Sequence, residues 1–151
     1  MSSNYLRIIA DLPDWTPDGP RAEQLGAAAQ EMFGARSAEV TSGDRGEIVF
    51  LDQGEWFEGI SCPNCGAAVD TAWWGERMDT AAENGFTDLS VTTECCGSAT
   101  SLNDLVYRKP AGFARFVIEV RELDKTYADD TSVAALEQIA GRPLRQVAAR
   151  Y

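Results

Sequence analysis

The chain has 151 residues, of which 44% are hydrophobic, and it carries a formal net charge of −11 with no histidine. This length fits one domain, or one small domain with an insertion. The negative charge disfavours binding to nucleic-acid phosphates and to anionic membrane surfaces, and the lack of histidine removes the commonest general base. The sequence has no apolar run long enough to span a membrane and no secretory signal pattern, so we expect a cytoplasmic protein.

The first third of the chain predicts a strand, a helix and a second strand. Residues 5–11 are rich in branched side chains and predict the first strand. Helical spacing then runs from Pro20 to Gly34, because apolar side chains recur at intervals of three and four residues: Leu25, Ala28, Ala29, Met32 and Phe33. Residues 46–52 predict the second strand, and residues 38–42 are expected to pair with it through the "SGDRG" turn.

The last third predicts a strand and a helix, followed by a segment that fits two structures. In "GFARFVIEVREL", Phe116, Ile118 and Val120 fall on one face of a predicted strand, and Glu119 and Arg121 fall on the other. "DDTSVAALEQIAGRP" predicts a helix that Asp130 or Thr131 caps. The tail "LRQVAARY" fits both a helix and a strand period, and we favour a strand because Gly-Arg-Pro precedes it.

This order of elements predicts an α+β fold. Strand–helix–strand occurs twice around a central segment, which is the split βαβ order of the ferredoxin-like fold. We therefore expect residues 1–54 and 111–151 to form one α+β domain, with residues 55–110 inserted between its middle strands. The alternative is a single irregular α+β domain without a separable insert.

The central segment contains all four cysteines of the chain, in "CPNCG" and "TECCG". Cys62 and Cys65 are separated by two residues, which lets both sulfurs reach one ion, and the following glycine frees the backbone to turn. A closed zinc site needs four ligands, and only Cys95 and Cys96 remain. We therefore expect one structural zinc ion bound by four thiolates.

The adjacency of Cys95 and Cys96 leaves alternatives open. Neighbouring side chains of a regular strand face opposite ways, so both can reach one ion only if the backbone turns there, as Gly97 allows. A site of three thiolates completed by Glu94 or by water is one alternative. A redox pair or disulfides are another.

The cysteine pattern resembles zinc-ribbon and zinc-knuckle sites. The longer series "CPNCG", "TECCG", "SLNDLVY" and "PAGFARF" is similar to small bacterial proteins that carry the same segments in the same order, over about residues 56–121. The resemblance implies a zinc ion and a binding role, because zinc ribbons commonly bind nucleic acid or protein. It brings no established activity that can be transferred to this chain.

The segment between the cysteine pairs is rich in tryptophan. Trp74, Met78, Ala81 and Ala82 share one face of a predicted helix, and Trp73 lies about 100° around it. Trp56 precedes the first cysteine pair. These tryptophans either pack the central segment onto the rest of the protein or form an exposed site for a partner: Trp56, Trp73 and Trp74.

We expect a non-enzymatic protein-interaction module whose partner is basic, because residues 1–107 hold 18 acidic and 5 basic side chains. An immunity or antitoxin-type inhibitor of a basic toxin is one concrete version. One alternative is an enzyme that uses Asp11, Asp14 and Glu55, or a reactive Cys96. Another is a nucleic-acid-binding ribbon with a contact at Arg108 and Lys109.

Overall fold

The computed structural model describes residues 2–151 and has a mixed α/β architecture, with three α-helices and an antiparallel four-stranded sheet. No helix within these residues is long and apolar enough to cross a membrane. The elements in chain order are β1 (Asn4–Ala10), α1 (Gly19–Phe33), a 3₁₀ turn (Gly34–Arg36), β2 (Glu39–Leu51), β3 (Ile60–Ser61), α2 (Thr71–Glu83), β4 (Ser90–Thr92), β5 (Ala99–Ser101), β6 (Val106–Tyr107), β7 (Gly112–Arg121), α3 (Asp130–Ala140) and β8 (Leu144–Arg150).

The main sheet has the strand order β2-β7-β1-β8, and every neighbouring pair is antiparallel. Ile8 of β1 lies opposite Ile118 of β7 and opposite Gln146 of β8, so β1 is a central strand. The first and last strands of the chain therefore pair directly.

One face of this sheet packs against α1 and α3. The alternating apolar residues of β7 point to this face, as the sequence predicts, and they meet the apolar stripe of each helix. The buried cluster comprises Leu6, Ile8, Phe116, Ile118, Val120 and Ala148 from the strands, Leu25, Ala29 and Phe33 from α1, Leu136 and Ala140 from α3, and Ala128. Each fully buried Leu, Ile, Val or Phe side chain of this cluster contributes about 1.5–3 kcal/mol relative to an exposed one, so the cluster stabilises the packing of both helices on the sheet.

Both helices of this layer begin at an aspartate cap. The Asp18 carboxylate accepts a hydrogen bond from the Arg21 backbone N–H at the start of α1. At the start of α3 the cap is Asp129, one residue before the predicted position, and its carboxylate accepts from the Ser132 N–H. Gly141 ends α3 in the left-handed conformation that glycine adopts without strain.

The prediction of two short strands joined by a turn at "SGDRG" is wrong. Residues 39–51 form the single strand β2, which pairs with β7 on both sides of a bulge. Asp44 lies opposite Phe116 and Val49 lies opposite Ala114, so four residues of β2 face one residue of β7. The polar, glycine-containing stretch thus bends one strand where a turn between two was expected.

The C-terminal tail forms the strand β8, and the preference for a strand over a helix is confirmed. It pairs with β1 along its whole length, from Ala10 opposite Leu144 to Asn4 opposite Arg150. Local periodicity fits both structures, and this pairing with an otherwise open edge of β1 favours the strand.

The central segment packs against the end of the sheet through a second core. Ile60, Leu89, Leu102 and Tyr107 belong to this core, and Phe113 of β7 shares it. The predicted inner face of α2 is correct for three residues, Trp74, Met78 and Ala81, whereas Ala82 is exposed. Ile48 and Phe50 of β2 are partly buried and pack against this core.

A buried polar side chain ties the central segment to the sheet. Asn103 is 5% exposed, and its amide nitrogen donates to the Asp11 carbonyl. Its Oδ1 accepts from the Phe113 N–H and from the Arg145 guanidinium, at 3.1 Å each. Arg145 also donates to the Ala111 carbonyl. Asn103 therefore links the central segment to three parts of the sheet.

We predict that Asn103→Ala lowers the free energy of unfolding by about 1–3 kcal/mol, because it leaves the Phe113 N–H and other buried polar groups without partners. Urea unfolding measures this change. The matched control is Asp104→Ala at the exposed neighbouring position, which should change stability by less than about 0.5 kcal/mol. Equal effects of the two substitutions would contradict the role of Asn103.

Candidate metal centre

The two cysteine-containing turns have the same backbone structure. In the first, the Cys62 N–H donates to the Ala67 carbonyl at 2.8 Å, and the Gly66 N–H donates to the Cys62 carbonyl at 3.0 Å. In the second, the Thr93 N–H donates to the Ser98 carbonyl at 3.0 Å, and the Gly97 N–H donates to the Thr93 carbonyl at 2.9 Å. We call residues 62–66 the first knuckle and residues 93–97 the second knuckle.

A glycine in the left-handed conformation ends each knuckle. Gly66 has a φ of 76° and Gly97 has a φ of 67°, values that residues with a Cβ rarely adopt. The second knuckle lies at the tip of the β4–β5 hairpin, and an isolated bridge between Ser61 and Ala68 flanks the first. Both knuckles therefore depend on a glycine at their fifth position.

The four cysteine sulfurs form one cluster. All four Sγ atoms lie within 4.8 Å of one another. The Cys65–Cys95 distance is 3.3 Å and the Cys62–Cys96 distance is 3.8 Å. A tetrahedral site with metal–sulfur bonds of about 2.3 Å requires sulfurs about 3.8 Å apart, so the cluster has the size that a single metal ion needs.

Cys95 and Cys96 reach the same cluster because they lie in a turn. Residues 94–96 form the turn of the second knuckle, so the alternation of a regular strand does not apply to them. Cys62 is buried, and the other three cysteines are exposed. The cluster therefore lies at the surface, with one buried sulfur beneath it.

Polar side chains surround the Cys96 sulfur. Ser98 Oγ lies 3.2 Å from it, Thr93 Oγ1 lies 3.4 Å away, and the Asn64 amide donates to it at 3.5 Å. These hydrogen bonds, that of Ser98 foremost, lower the pKa of the Cys96 thiol to about 5. The contact with Cys65 raises the pKa of the Cys95 thiol to about 12. The surroundings thus shift the pKa values of these two neighbouring thiols in opposite directions.

The backbone also acts on Cys62. Hydrogen bonds from the N–H groups within the first knuckle, that of Cys65 foremost, lower the pKa of the Cys62 thiol. Backbone N–H groups that point at a sulfur stabilise its negative charge, which is the form that binds metals.

The three tryptophans lie in different surroundings. Trp74 packs in the second core, where its indole N–H donates to the Tyr107 hydroxyl at 3.2 Å. Trp56 is half-buried against the core under α1 and α3. Trp73 is half-buried and borders a cavity of about 250 Å³ beside the cysteine cluster, together with Asp70, Glu94 and Cys95.

The other candidate residues do not lie in the cysteine cluster. Asp11 forms an ion pair with Arg142 at 2.9 Å, and Glu55 forms one with Arg150 at 3.4 Å. Asp14 borders a separate cavity, near Ile48 and Phe86. Arg108 and Lys109 directly follow β6, and the Lys109 carbonyl accepts from the Gln53 side chain.

Sequence reasoning missed the polar neighbours of the sulfurs, Asn64, Thr93 and Ser98. A signal for one of them was present, because "CPNCG" and "TECCG" align without a gap when their glycines are matched. This alignment places Thr93 at the position of Cys62.

No protein-family model, curated protein or solved structure matches this chain. The four closely spaced sulfurs are therefore the observation that supports a metal site.

We predict that metal binding releases at least one proton at pH 7, because Cys95 must lose its proton to become a ligand. The apparent affinity should therefore fall as the pH falls, by roughly a factor of ten for each unit of pH and each proton released. Calorimetric titration with Zn²⁺ in two buffers of different ionisation enthalpy measures the number of protons. Equal heats in the two buffers would refute this prediction.

Proposed function

We propose that Cys62, Cys65, Cys95 and Cys96 bind one zinc ion in a closed structural site. The observation that carries this proposal is the single cluster of four sulfurs, of the size that a tetrahedral ion requires. Four thiolates suit Zn²⁺ and also a single iron ion, so the identity of the metal is part of the proposal. Four protein ligands leave no position for a water or a substrate, which favours a structural role over a catalytic one.

We propose that the main sheet has ferredoxin-like order and that residues 55–110 are a zinc-ribbon-like insert. The antiparallel order β2-β7-β1-β8, with α1 between β1 and β2 and α3 between β7 and β8, supports the first part. The pairing of Leu51 with Gly112 supports the second, because it brings the two ends of the insert together. The metal would link β3 and the β4–β5 hairpin within this insert.

The insert is the proposed site for a basic protein partner. Residues 55–107 hold nine acidic side chains and one basic side chain, and a centre of four thiolates and one Zn²⁺ adds further negative charge. Glu76, Asp79 and Glu83 are exposed on α2. Such a surface attracts a basic partner and speeds its association.

Trp73 is the proposed contact residue within this acidic surface. Trp73 borders the cavity beside the cluster, and Asp70 and Glu94 also line this cavity. An aromatic face next to carboxylates suits a lysine or arginine side chain of the partner. A non-enzymatic inhibitor of a basic toxin, acting in the cytoplasm, is the concrete form of this proposal.

We predict one zinc ion per chain in protein purified without added metal. Cys62→Ser should reduce zinc well below this level and should make residues 55–110 more sensitive to proteases than the main sheet, because the insert then lacks its link. Native mass spectrometry and limited proteolysis measure both effects. The conservative change Thr92→Ser, beside the second knuckle, serves as the control and should alter neither.

A protein that contains no metal, or a Cys62→Ser variant that retains full zinc, would contradict the metal-binding proposal.

We predict that the zinc-loaded protein captures a basic protein from its native cells and that Trp73→Ala weakens the purified complex more than about tenfold, since buried aromatic contacts in interfaces commonly contribute about 2 kcal/mol or more. Calorimetry with both purified proteins measures this. The association rate should also fall as salt is added. Leu12→Ala, an exposed apolar position outside the insert, is the control. An unchanged affinity for Trp73→Ala, or a captured partner that is acidic, would argue against the proposal.

A further inference from the structure

The two knuckles match in their backbone but differ in the positions of their cysteines. Matching Gly66 with Gly97 pairs Cys65 with Cys96 at the fourth position of each knuckle, as their hydrogen bonds require. At the first position, however, Cys62 corresponds to Thr93. At the third position, Asn64 corresponds to Cys95. The second knuckle therefore lacks a first-position sulfur and has an additional third-position sulfur.

Thr93 lies beside the cluster, at the knuckle position that corresponds to Cys62. Thr93 is 3% exposed, and its counterpart Cys62 is 2% exposed. Thr93 Oγ1 lies 3.4 Å from Cys96 Sγ and 3.9 Å from Cys62 Sγ. These distances are close to those between the sulfurs themselves, so the hydroxyl contacts the cluster from the knuckle position at which Cys62 provides its sulfur in the first knuckle.

The third-position side chains cross from one knuckle to the other. The Asn64 amide donates to Cys96 Sγ, which is the fourth-position sulfur of the opposite knuckle. Cys95 Sγ lies 3.3 Å from Cys65 Sγ, which is likewise the fourth-position sulfur of the opposite knuckle. Cys95 thus contacts the opposite knuckle from the same position as Asn64. It provides the fourth sulfur of the cluster, although the second knuckle has no cysteine at its first position.

We propose that the metal centre has a shifted ligand set, in which Cys95 replaces the first-position ligand of the second knuckle and Thr93 is a positioning residue. This inference rests on the proposed metal site. The Thr93 hydroxyl accepts from the Ser98 N–H at 3.3 Å, and its own hydrogen has two acceptors within reach, the Ser98 carbonyl at 3.5 Å and the Cys96 sulfur at 3.4 Å. A metal-bound thiolate is the stronger of these acceptors, because hydrogen bonds to charged groups are stronger than those to neutral ones. A hydroxyl that donates to a metal-bound thiolate orients the sulfur and disperses its charge.

If the ligand set is shifted in this way, position 93 can still provide a metal ligand when it carries a suitable side chain. A cysteine at this position would place its sulfur in the cluster through the same knuckle geometry that Cys62 has. Cys95 would then no longer be required. A thiol at the adjacent position 92 would not act in this way, because Thr92 belongs to β4 and lies outside the second knuckle.

The experiment is titration of the full chain with Co²⁺, whose thiolate charge-transfer absorption reports the number of bound sulfurs. Cys95→Ser should lose about a quarter of this absorption and bind Co²⁺ at least about tenfold more weakly. The double variant Thr93→Cys/Cys95→Ser should recover the absorption of the wild type and most of its affinity. The matched control is Thr92→Cys/Cys95→Ser, which has the same number of cysteines and should behave as Cys95→Ser does.

Two further variants test the positioning role of the Thr93 hydroxyl. Thr93→Val keeps nearly the same shape and should weaken Co²⁺ binding by about tenfold and shift the charge-transfer band, as expected when an outer hydrogen bond to a ligand is lost. Thr93→Ser retains the hydroxyl and should bind as the wild type does.

The outcomes separate this inference from the proposed function. A wild-type protein that binds neither Zn²⁺ nor Co²⁺ would overturn the metal site itself. A wild-type protein that binds Co²⁺ through four sulfurs, combined with a Thr93→Cys/Cys95→Ser variant no better than its Thr92→Cys control, would overturn the shifted ligand set alone. Full recovery in the position-93 variant only would support it.

Discussion

The approach of four sulfur atoms to within 4.8 Å of one another is the constraint on which the central segment depends. Thiolates at such distances repel one another unless a cation lies between them. The regular structure around them is short, because β3 has two residues and β4 and β5 have three each. Two-stranded ribbons of this length are at most marginally stable by themselves. They are held instead by the second core, by Asn103 and, in our proposal, by a metal that joins the two knuckles.

Most elements of the fold could be predicted from local pattern, and the errors have identifiable causes. The apolar spacing of α1 and α3 was sufficient, because each helix faces a single core. In β7 the spacing of Phe116, Ile118 and Val120 was sufficient for the face that the helices cover, whereas other residues of the strand enter two further cores. The stretch from Ser42 to Gly46 was misread as a turn, since a polar, glycine-containing sequence fits both a turn and a bulge. Pairing with β7 decides between them, and local sequence does not contain that information. The tail was ambiguous for the same reason, and the open edge of β1 decides in favour of β8.

The four cysteines of the site could be predicted from the sequence, but the arrangement of the side chains around their sulfurs could not. Four cysteines in two glycine-terminated turns indicate one cluster, and the structure brings their sulfurs together. The contacts of Thr93, Ser98 and Asn64 with Cys96 depend on how the knuckles face each other, which requires the fold of the whole segment.

The different surroundings of the tryptophans also depend on the fold of the whole segment. Trp74 packs in the second core. Its neighbour Trp73 lies beside the cysteine cluster, in the acidic surroundings that support the proposed recognition of a basic protein.

X-ray absorption spectroscopy of the purified protein at the edge of its bound metal tests the central claim most directly. The account predicts a zinc edge and a single shell of four sulfur atoms at about 2.3 Å, with no oxygen or nitrogen neighbour. A shell that contains oxygen would show that one cysteine is not a ligand and that the centre is open. A protein without a metal edge would contradict the account of the central segment as a whole.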